Sequence, residues 1–233
     1  LLKRSTPKAP SVAVTPDDIA MFQYTGGTTG TSKGAVALHR NVVANVYQMK
    51  EWANPVKPPE GTGVVMGVMP LFHVYGMITV MHLSILGGAV MVLLPRWDTK
   101  QALKAINRYK PDFFPGVPTM YVALSNDPDT KNYNLRSIKS CVSGAAPLPL
   151  EVQNKFEEIT GGKLSEGYGL SEAPVVVSAQ PIIGKRKVGS IGVPFPDVEA
   201  KIVDAQTGEK EMPVGAVGGL VIRAPQVMQG YWN

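Results

Sequence analysis

The chain of 233 residues carries 23 Lys and Arg against 18 Asp and Glu, a net charge of +5, and 44% of its residues are hydrophobic. That is enough apolar material for one large domain or two modest ones, and it excludes a disordered or fibrous chain. The basic residues are scattered apart from Lys185-Arg186-Lys187, with no basic face interleaved with aromatics, which favours small anionic ligands and argues against nucleic acid.

In chain order, "IAMFQYTGG" (19–27) reads as a strand running into a loop, and "AVALHRN" (35–41) as its return. Apolar residues at Val42, Val43, Val46 and Met49 then recur with helical spacing over 42–52, with His39 at the helix entrance. "GVVMGVMP" reads as a strand, "MITVMHLSIL" as a buried helix holding a hydrogen-bonded His82, and "AVMVLLP" as a strand. From Gly61 to Pro95 there is no charged residue, a length that would span a membrane. Gly67, Pro70, Gly76, Gly87-Gly88 and Pro95 cut it into pieces of strand and helix length, which is how a buried α/β segment reads.

"DTKQALKAINRYK" is a helix capped by Asp98, "DFFPGV" a short strand, and "PTMYVALSN" a helix opening on Pro118, where a missing N–H costs nothing. "IKSCVSG" follows as a strand, "PLEVQNKFEEIT" as a helix and "KLSEGYG" as a strand. The single cysteine, Cys141, excludes an internal disulfide and a cysteine-based zinc site, suits a reducing compartment, and reads as a small core residue. This alternation predicts an α/β fold, a mainly parallel doubly wound sheet with flanking helices, over residues 1–184. Beyond about Lys185, "VGSIGVP", "VEAKIVD" and "GLVIRAP" follow one another without helices, which predicts a small β subdomain over 185–233. The start "LLKRS", with no initiator Met and no signal-peptide pattern, and the end "GYWN" give the expectation of a piece cut from a longer protein.

Three segments rich in small polar residues fall at strand ends, where ligands sit in such sheets. The first is "YTGGTTGTSKG" (24–34). It fits neither the Walker loop, because Ser32 and Gly34 flank the lysine, nor the dinucleotide fingerprint, because only Gly27-x-x-Gly30 is present. Glycines let successive backbone N–H groups converge on an anion, Thr25, Thr28, Thr29 and Thr31 add hydroxyl donors, and Lys33 adds a compact positive charge. That is chemistry for a polyphosphate; a ligand-free hairpin tip is equally compatible with the composition. The second, "SGAAP" (143–147), allows flat contact with a ligand, but taken alone it reads rather as a structural turn. In the third, "EGYGLSE" (166–172), Tyr168 between two glycines offers an accessible ring face for base stacking. Glu172 near a polyphosphate would require a cation between them, and oxygen-ligated Mg²⁺ is the natural one. The alternative is an exposed turn with a solvated carboxylate. His73, in "PLFHVYGM", lies among aromatics in a Pro/Gly-bounded loop and is a candidate pocket residue, whereas no histidine pair has zinc spacing.

Taken as an ordered set, these motifs resemble the adenylate-forming acyl-CoA synthetases, closest to the long-chain fatty-acid–CoA ligases. "QYTGGTTGTSKGAVALHRN" is similar to the family's phosphate loop, "MPLFHVYGM" to its aromatic substrate loop, and "SGAAPLP" and "EGYGLSE" to its adenine-binding segments. "GSIGVPFPDVEAKIVD" and "GLVIRAPQVMQGYWN" are similar to its downstream β motifs. The resemblance implies a two-step reaction: a carboxylate attacks the α-phosphate of ATP to give acyl-adenylate and pyrophosphate, and the thiol of coenzyme A then displaces AMP. It implies that Thr25, Gly26, Gly27, Thr28, Thr29, Gly30 and Lys33 hold the β- and γ-phosphates, and that Thr28 and Glu172 meet Mg²⁺. Gly144, Ala145 and Ala146 would lie against adenine, with Glu166, Gly167, Tyr168 and Gly169 forming the stacking segment. Ser171 would contact the α-phosphate and His73 would border the acyl pocket, so Lys33, Glu172 and His73 are the residues it assigns to the chemistry. Departures are Ser32 before the lysine, Ser171 for the usual threonine, and Gly219 for a glutamate. The family's ribose-binding aspartate and its lid lysine have no counterpart in this chain, so the resemblance implies a fragment inactive by itself. The implied substrate is a fatty acid; acetate, an aromatic acid, an amino acid or luciferin, and a non-catalytic nucleotide-binding module, are the alternatives. A cytoplasmic location is expected, with peripheral membrane contact and oligomeric state open.

Overall fold

The computed structural model describes residue 8 and residues 11–25 and 32–232. Strands β1 (Ile19–Thr25) and β2 (Lys33–Leu38) form an antiparallel hairpin whose last pair is Thr25 opposite Lys33. The Ser32 hydroxyl donates to the Thr25 carbonyl at 2.8 Å and closes the hairpin's base. Gly26, Gly27, Thr28, Thr29, Gly30 and Thr31 lie outside the described residues. Helix α1 (His39–Ala53) begins at His39 and buries Val42, Val46 and Met49, while Val43, assigned by spacing to the same stripe, faces solvent.

The charge-free stretch folds as a β-α-β unit. Strand β3 (Val64–Gly67) leads to α2 (Val74–Gly76), a π-helical turn (Met77–His82) and α3 (Leu83–Gly87), and β4 (Val90–Leu93) returns parallel to β3. No helix among the described residues is long and apolar enough to cross a membrane. His82 departs from expectation: its Nδ1 is buried without a hydrogen-bond partner, and burial pushes its pKa down.

Helix α4 (Thr99–Tyr109) starts where the Asp98 carboxylate accepts the Gln101 N–H at 2.7 Å. Replacing Asp98 with alanine is expected to cost about 1 kcal/mol, read as a shift in the urea midpoint at unchanged slope. Residues 112–117 bridge the sheet: Phe113 pairs in parallel with both Val65 and Ser140, and Gly116 with Ser143. After α5 (Pro118–Asn126) come β5 (Ser140–Ser143), α6 (Leu150–Thr160) and β6 (Lys163–Leu170), with β5 and β6 parallel. The parallel order is therefore β4, β3, the 112–117 segment, β5 and β6. An antiparallel extension follows, β7 (Ala173–Ala179) and then β8 (Val193–Pro194).

Strand β7 was not anticipated from the sequence, although every residue of "APVVVSA" is buried. Strands β9 (Glu199–Val203) and β10 (Gly219–Arg223) form their own ribbon, whereas β11 (Gly230–Trp232) returns to pair with β2. Residues beyond 185 thus contribute to two earlier sheets as well as to that ribbon.

Helices cover both faces, as period-2 alternation in buried strands requires. On one face Met66, Cys141 and Leu164 pack against Leu103 and Ile106 of α4, Tyr121 and Leu124 of α5 and Phe156 of α6. On the other, Val42, Val46 and Met49 of α1 meet Val74, Tyr75 and Ile78 of the broken helix and Val175 and Val176 of β7.

Candidate functional site

A cavity of about 180 Å³ opens at the carboxyl ends of β5 and β6. Its walls come from three separate stretches of chain: His73, Val74 and Tyr75; Val142, Gly144 and Ala145; and the run from Gly167 to Ser171, closed by Val175 and Val176 of β7. The aromatic loop, the small-residue turn and the tyrosine segment therefore meet in one place.

Each wall is fixed by identifiable bonds. His73 caps α2, its Nδ1 accepting the Tyr75 N–H at 3.1 Å, which makes Nε2 the protonated nitrogen. Tyr75 is buried and its hydroxyl donates to the carbonyls of Val142 (2.6 Å) and Gly116 (3.0 Å). Burial raises this phenol's pKa, so it stays a donor and pins the broken helix to the end of β5. A Cβ on Gly144 would stand 3.4 Å from the Tyr75 ring, so the turn lies flat against that aromatic. Ala145 adopts a left-handed φ of 66°, which costs a non-glycine residue about 1 kcal/mol and holds the turn in one shape beside the cavity.

The tyrosine segment is a strand, as expected for "KLSEGYG". Residues through Leu170 belong to β6, with pairing to β7 interrupted between Tyr168 and Gly169 and again between Gly169 and Leu170. Gly169 has no alternative there, because a Cβ would lie 1.6 Å from the Val175 carbonyl oxygen. These irregularities re-aim the strand, and Tyr168 is left 38% exposed at the cavity's edge.

Two residues nominated in the adenine-binding segments do not line this cavity. Ala146 is exposed beyond it, and Glu166 is buried, its carboxyl engaging the Leu148 backbone. Burial raises the pKa of Glu166, partly offset by that bond. Glu172 follows the cavity-lining Ser171, and its carboxylate accepts the Tyr231 hydroxyl at 2.6 Å. Lys33 is exposed, its Nζ 5.3 Å from the centroid of the same Tyr231 ring. Tyr231 was missed at the sequence level; its only signal was an aromatic pair after a glycine in "GYWN".

Among the described residues no group of three or more His, Cys, Asp or Glu is arranged to hold a metal ion. A lone carboxylate fits a hard cation that takes its other ligands from water or a bound anion, as Mg²⁺ does, and does not fit a protein-caged transition metal.

The model of the AMP-binding enzyme family matches residues 2–232, and the chain belongs to that family. It is 51% identical over 216 residues to a long-chain-fatty-acid–CoA ligase of Bacillus subtilis, covering 93% of this chain and 38% of that protein. It is 34% identical to 4-coumarate–CoA ligase 2 of Nicotiana tabacum, covering 96% of this chain and 42% of the relative. The fold superposes with a TM-score of 0.86 and 26% identity on the anthranilate CoA ligase AuaEII in complex with anthranoyl-AMP, over 97% of this chain and 43% of the other. The chain spans about two fifths of the length of these relatives.

Proposed function

We propose that this chain is the phosphate- and adenine-holding portion of an ATP-dependent acid–thiol ligase that activates a fatty acid as acyl-adenylate and passes the acyl group to coenzyme A. The observation that carries the reading is the convergence of three sequence-distant segments on one cavity in a member of the AMP-binding family. On this reading Tyr168 stacks on adenine, Gly144 and Ala145 face its flat side, and Ser171 donates to the α-phosphate. Thr25 to Gly30 and Lys33 hold the β- and γ-phosphates, while Thr28 and Glu172 would hold Mg²⁺, which would neutralise charge on the polyphosphate. His73, its Nδ1 already committed to Tyr75, presents Nε2–H toward the acyl carboxylate. The carboxylate oxygen attacks the α-phosphorus and the bond to pyrophosphate breaks; the thiolate of coenzyme A then attacks the acyl carbon and AMP leaves with the bonding pair. A cytoplasmic location belongs to the same reading and is supported by the single, buried, unpaired Cys141.

Calorimetric titration of the chain with AMP and with short- and long-chain alkyl esters of AMP tests this. The wild type is expected to bind all three, more tightly as the chain lengthens, and Tyr168→Ala to lose about tenfold toward each. Absence of binding by the wild type, or an unaffected Tyr168→Ala, would overturn the nucleotide reading. The tobacco relative and the modest cavity favour a second reading, an aromatic carboxylate as substrate. An aryl ester of AMP binding tighter than any alkyl ester would decide for it.

A further inference from the structure

The last strand reaches back to the phosphate hairpin and to the proposed metal carboxylate at once. Strand β11 pairs with β2, placing Tyr231 opposite Ala35 and Trp232 opposite Gly34. Just before it, the Gln229 N–H donates to the Val36 carbonyl at 2.9 Å and the Met228 N–H donates to the Glu172 carbonyl at 2.8 Å. The backbone at 228–229 thus ties the turn after β6 to β2. Side chains repeat the link: the Tyr231 hydroxyl donates to Glu172 Oε1 at 2.6 Å, and Lys33 Nζ lies over the Tyr231 ring at 5.3 Å. Trp232 packs edge-on against Phe22 with ring centroids 5.0 Å apart, so the aromatic pair is braced from β1 as well.

We infer that Tyr231 is a positioning residue for the polyphosphate site, its hydroxyl aiming the Glu172 carboxylate and its ring supporting Lys33, so that the anion and the cation are set relative to each other before any ligand arrives. This rests on the function proposed above. A carboxylate on a free turn must lose rotamer freedom to meet a cation; one already held by a phenol loses less, and the difference is returned as affinity. The contact to the ring likewise limits where the long Lys33 side chain spends its time.

The test measures ATP affinity with Mg²⁺ and with EDTA, and AMP affinity, for wild type, Tyr231→Phe, Glu172→Gln and the double variant. Tyr231→Phe is expected to keep its melting temperature and its affinities for AMP and metal-free ATP, while the gain on adding Mg²⁺ shrinks by about three- to tenfold. In the Glu172→Gln background the Tyr231→Phe substitution should reduce the Mg²⁺ gain no further, because the amide that still accepts the hydroxyl offers the cation no charge. An undiminished Mg²⁺ gain in Tyr231→Phe overturns the inference, and so does an equal loss toward AMP, which a purely structural role would give. If Tyr231→Phe lowers thermal stability, the double-variant cycle still decides, since a structural defect would persist without Glu172. Wild-type protein that binds AMP but gains nothing from Mg²⁺ overturns the inference and the metal role of Glu172 while leaving the adenine site standing. Wild-type protein that binds neither nucleotide overturns the functional reading itself.

Discussion

Replacing Asn45 by alanine is expected to destabilise the chain by about 3 kcal/mol, lowering its melting temperature by roughly 10 °C. Asn45 is fully buried on α1, and every polar atom of its side chain is used. Its Oδ1 accepts the N–H groups of Val175 (2.7 Å) and Val176 (3.1 Å), while Nδ2 donates to the Val176 carbonyl (2.8 Å) and to Gln48 Oε1 (3.0 Å). Gln48 in turn donates to the Pro196 carbonyl (2.6 Å) and to Gln226 Oε1 (3.0 Å), and Gln226 is fully buried. One helix thereby serves backbone that the interrupted pairing of β7 leaves unserved, and the network extends to the segments before β9 and β11. Alanine removes the acceptor of the buried Val175 and Val176 N–H groups, while the Val176 carbonyl keeps the Gln226 amide as a donor, and the cost of the two stranded N–H groups falls on the folded state. The exposed neighbour Val43→Ala is the control, expected within about 0.5 kcal/mol of wild type. Urea unfolding of both variants checks this, and a loss below about 1 kcal/mol for Asn45→Ala would show that the network is dispensable. Because β7 forms a wall of the cavity, the same variant should weaken AMP binding.

Lys33→Ala is expected to weaken Mg²⁺–ATP binding by about 30-fold while leaving AMP binding within twofold. The first figure follows from losing a charge-assisted contact to phosphate of about 2 kcal/mol, the second from AMP lacking the β- and γ-phosphates. Lys33 is exposed at the first position of β2 and makes no ion pair with an acidic side chain among the described residues, so its removal should leave the melting temperature unchanged. Raising ionic strength should erode the difference between wild type and variant, since an exposed charge is screened. Calorimetry with both nucleotides reads the outcome. Equal losses toward ATP and AMP would place Lys33 somewhere other than beside the outer phosphates.

The alternation of helix and strand over residues 19–170 was legible because each element carries its own local signal. Asp98 and Pro118 mark helix starts, Gly88 a helix end, and strands such as "GVVMGV" read as continuous apolar runs because both faces are covered. The motifs at the strand ends were legible for a similar reason, since glycines and small hydroxyl residues stand out against apolar runs. The break of the helix by a π turn at Met77–His82 was not, because i-to-i+5 bonding is a response to surrounding packing and leaves no spacing of its own. Strand β7 follows β6 across a tight turn with no helix between them, so no change of period separates it from the glycine-rich segment before it.

What the sequence by itself determined is the chemistry on offer: a glycine–threonine loop with one lysine, a tyrosine between glycines, a carboxylate four residues on, and a histidine among aromatics. Only the tertiary structure decided which of these share a site. Convergence of residues 73–75, 142–145 and 167–176 depends on parallel strand order, a long-range property that no local pattern encodes. The pairing of Tyr231 with Glu172, and its place beneath Lys33, arises because β11 adds to the edge of β2, nearly two hundred residues away in sequence. Local propensity fixes which elements form; burial of their apolar faces and completion of their backbone hydrogen bonds decide which of them end side by side.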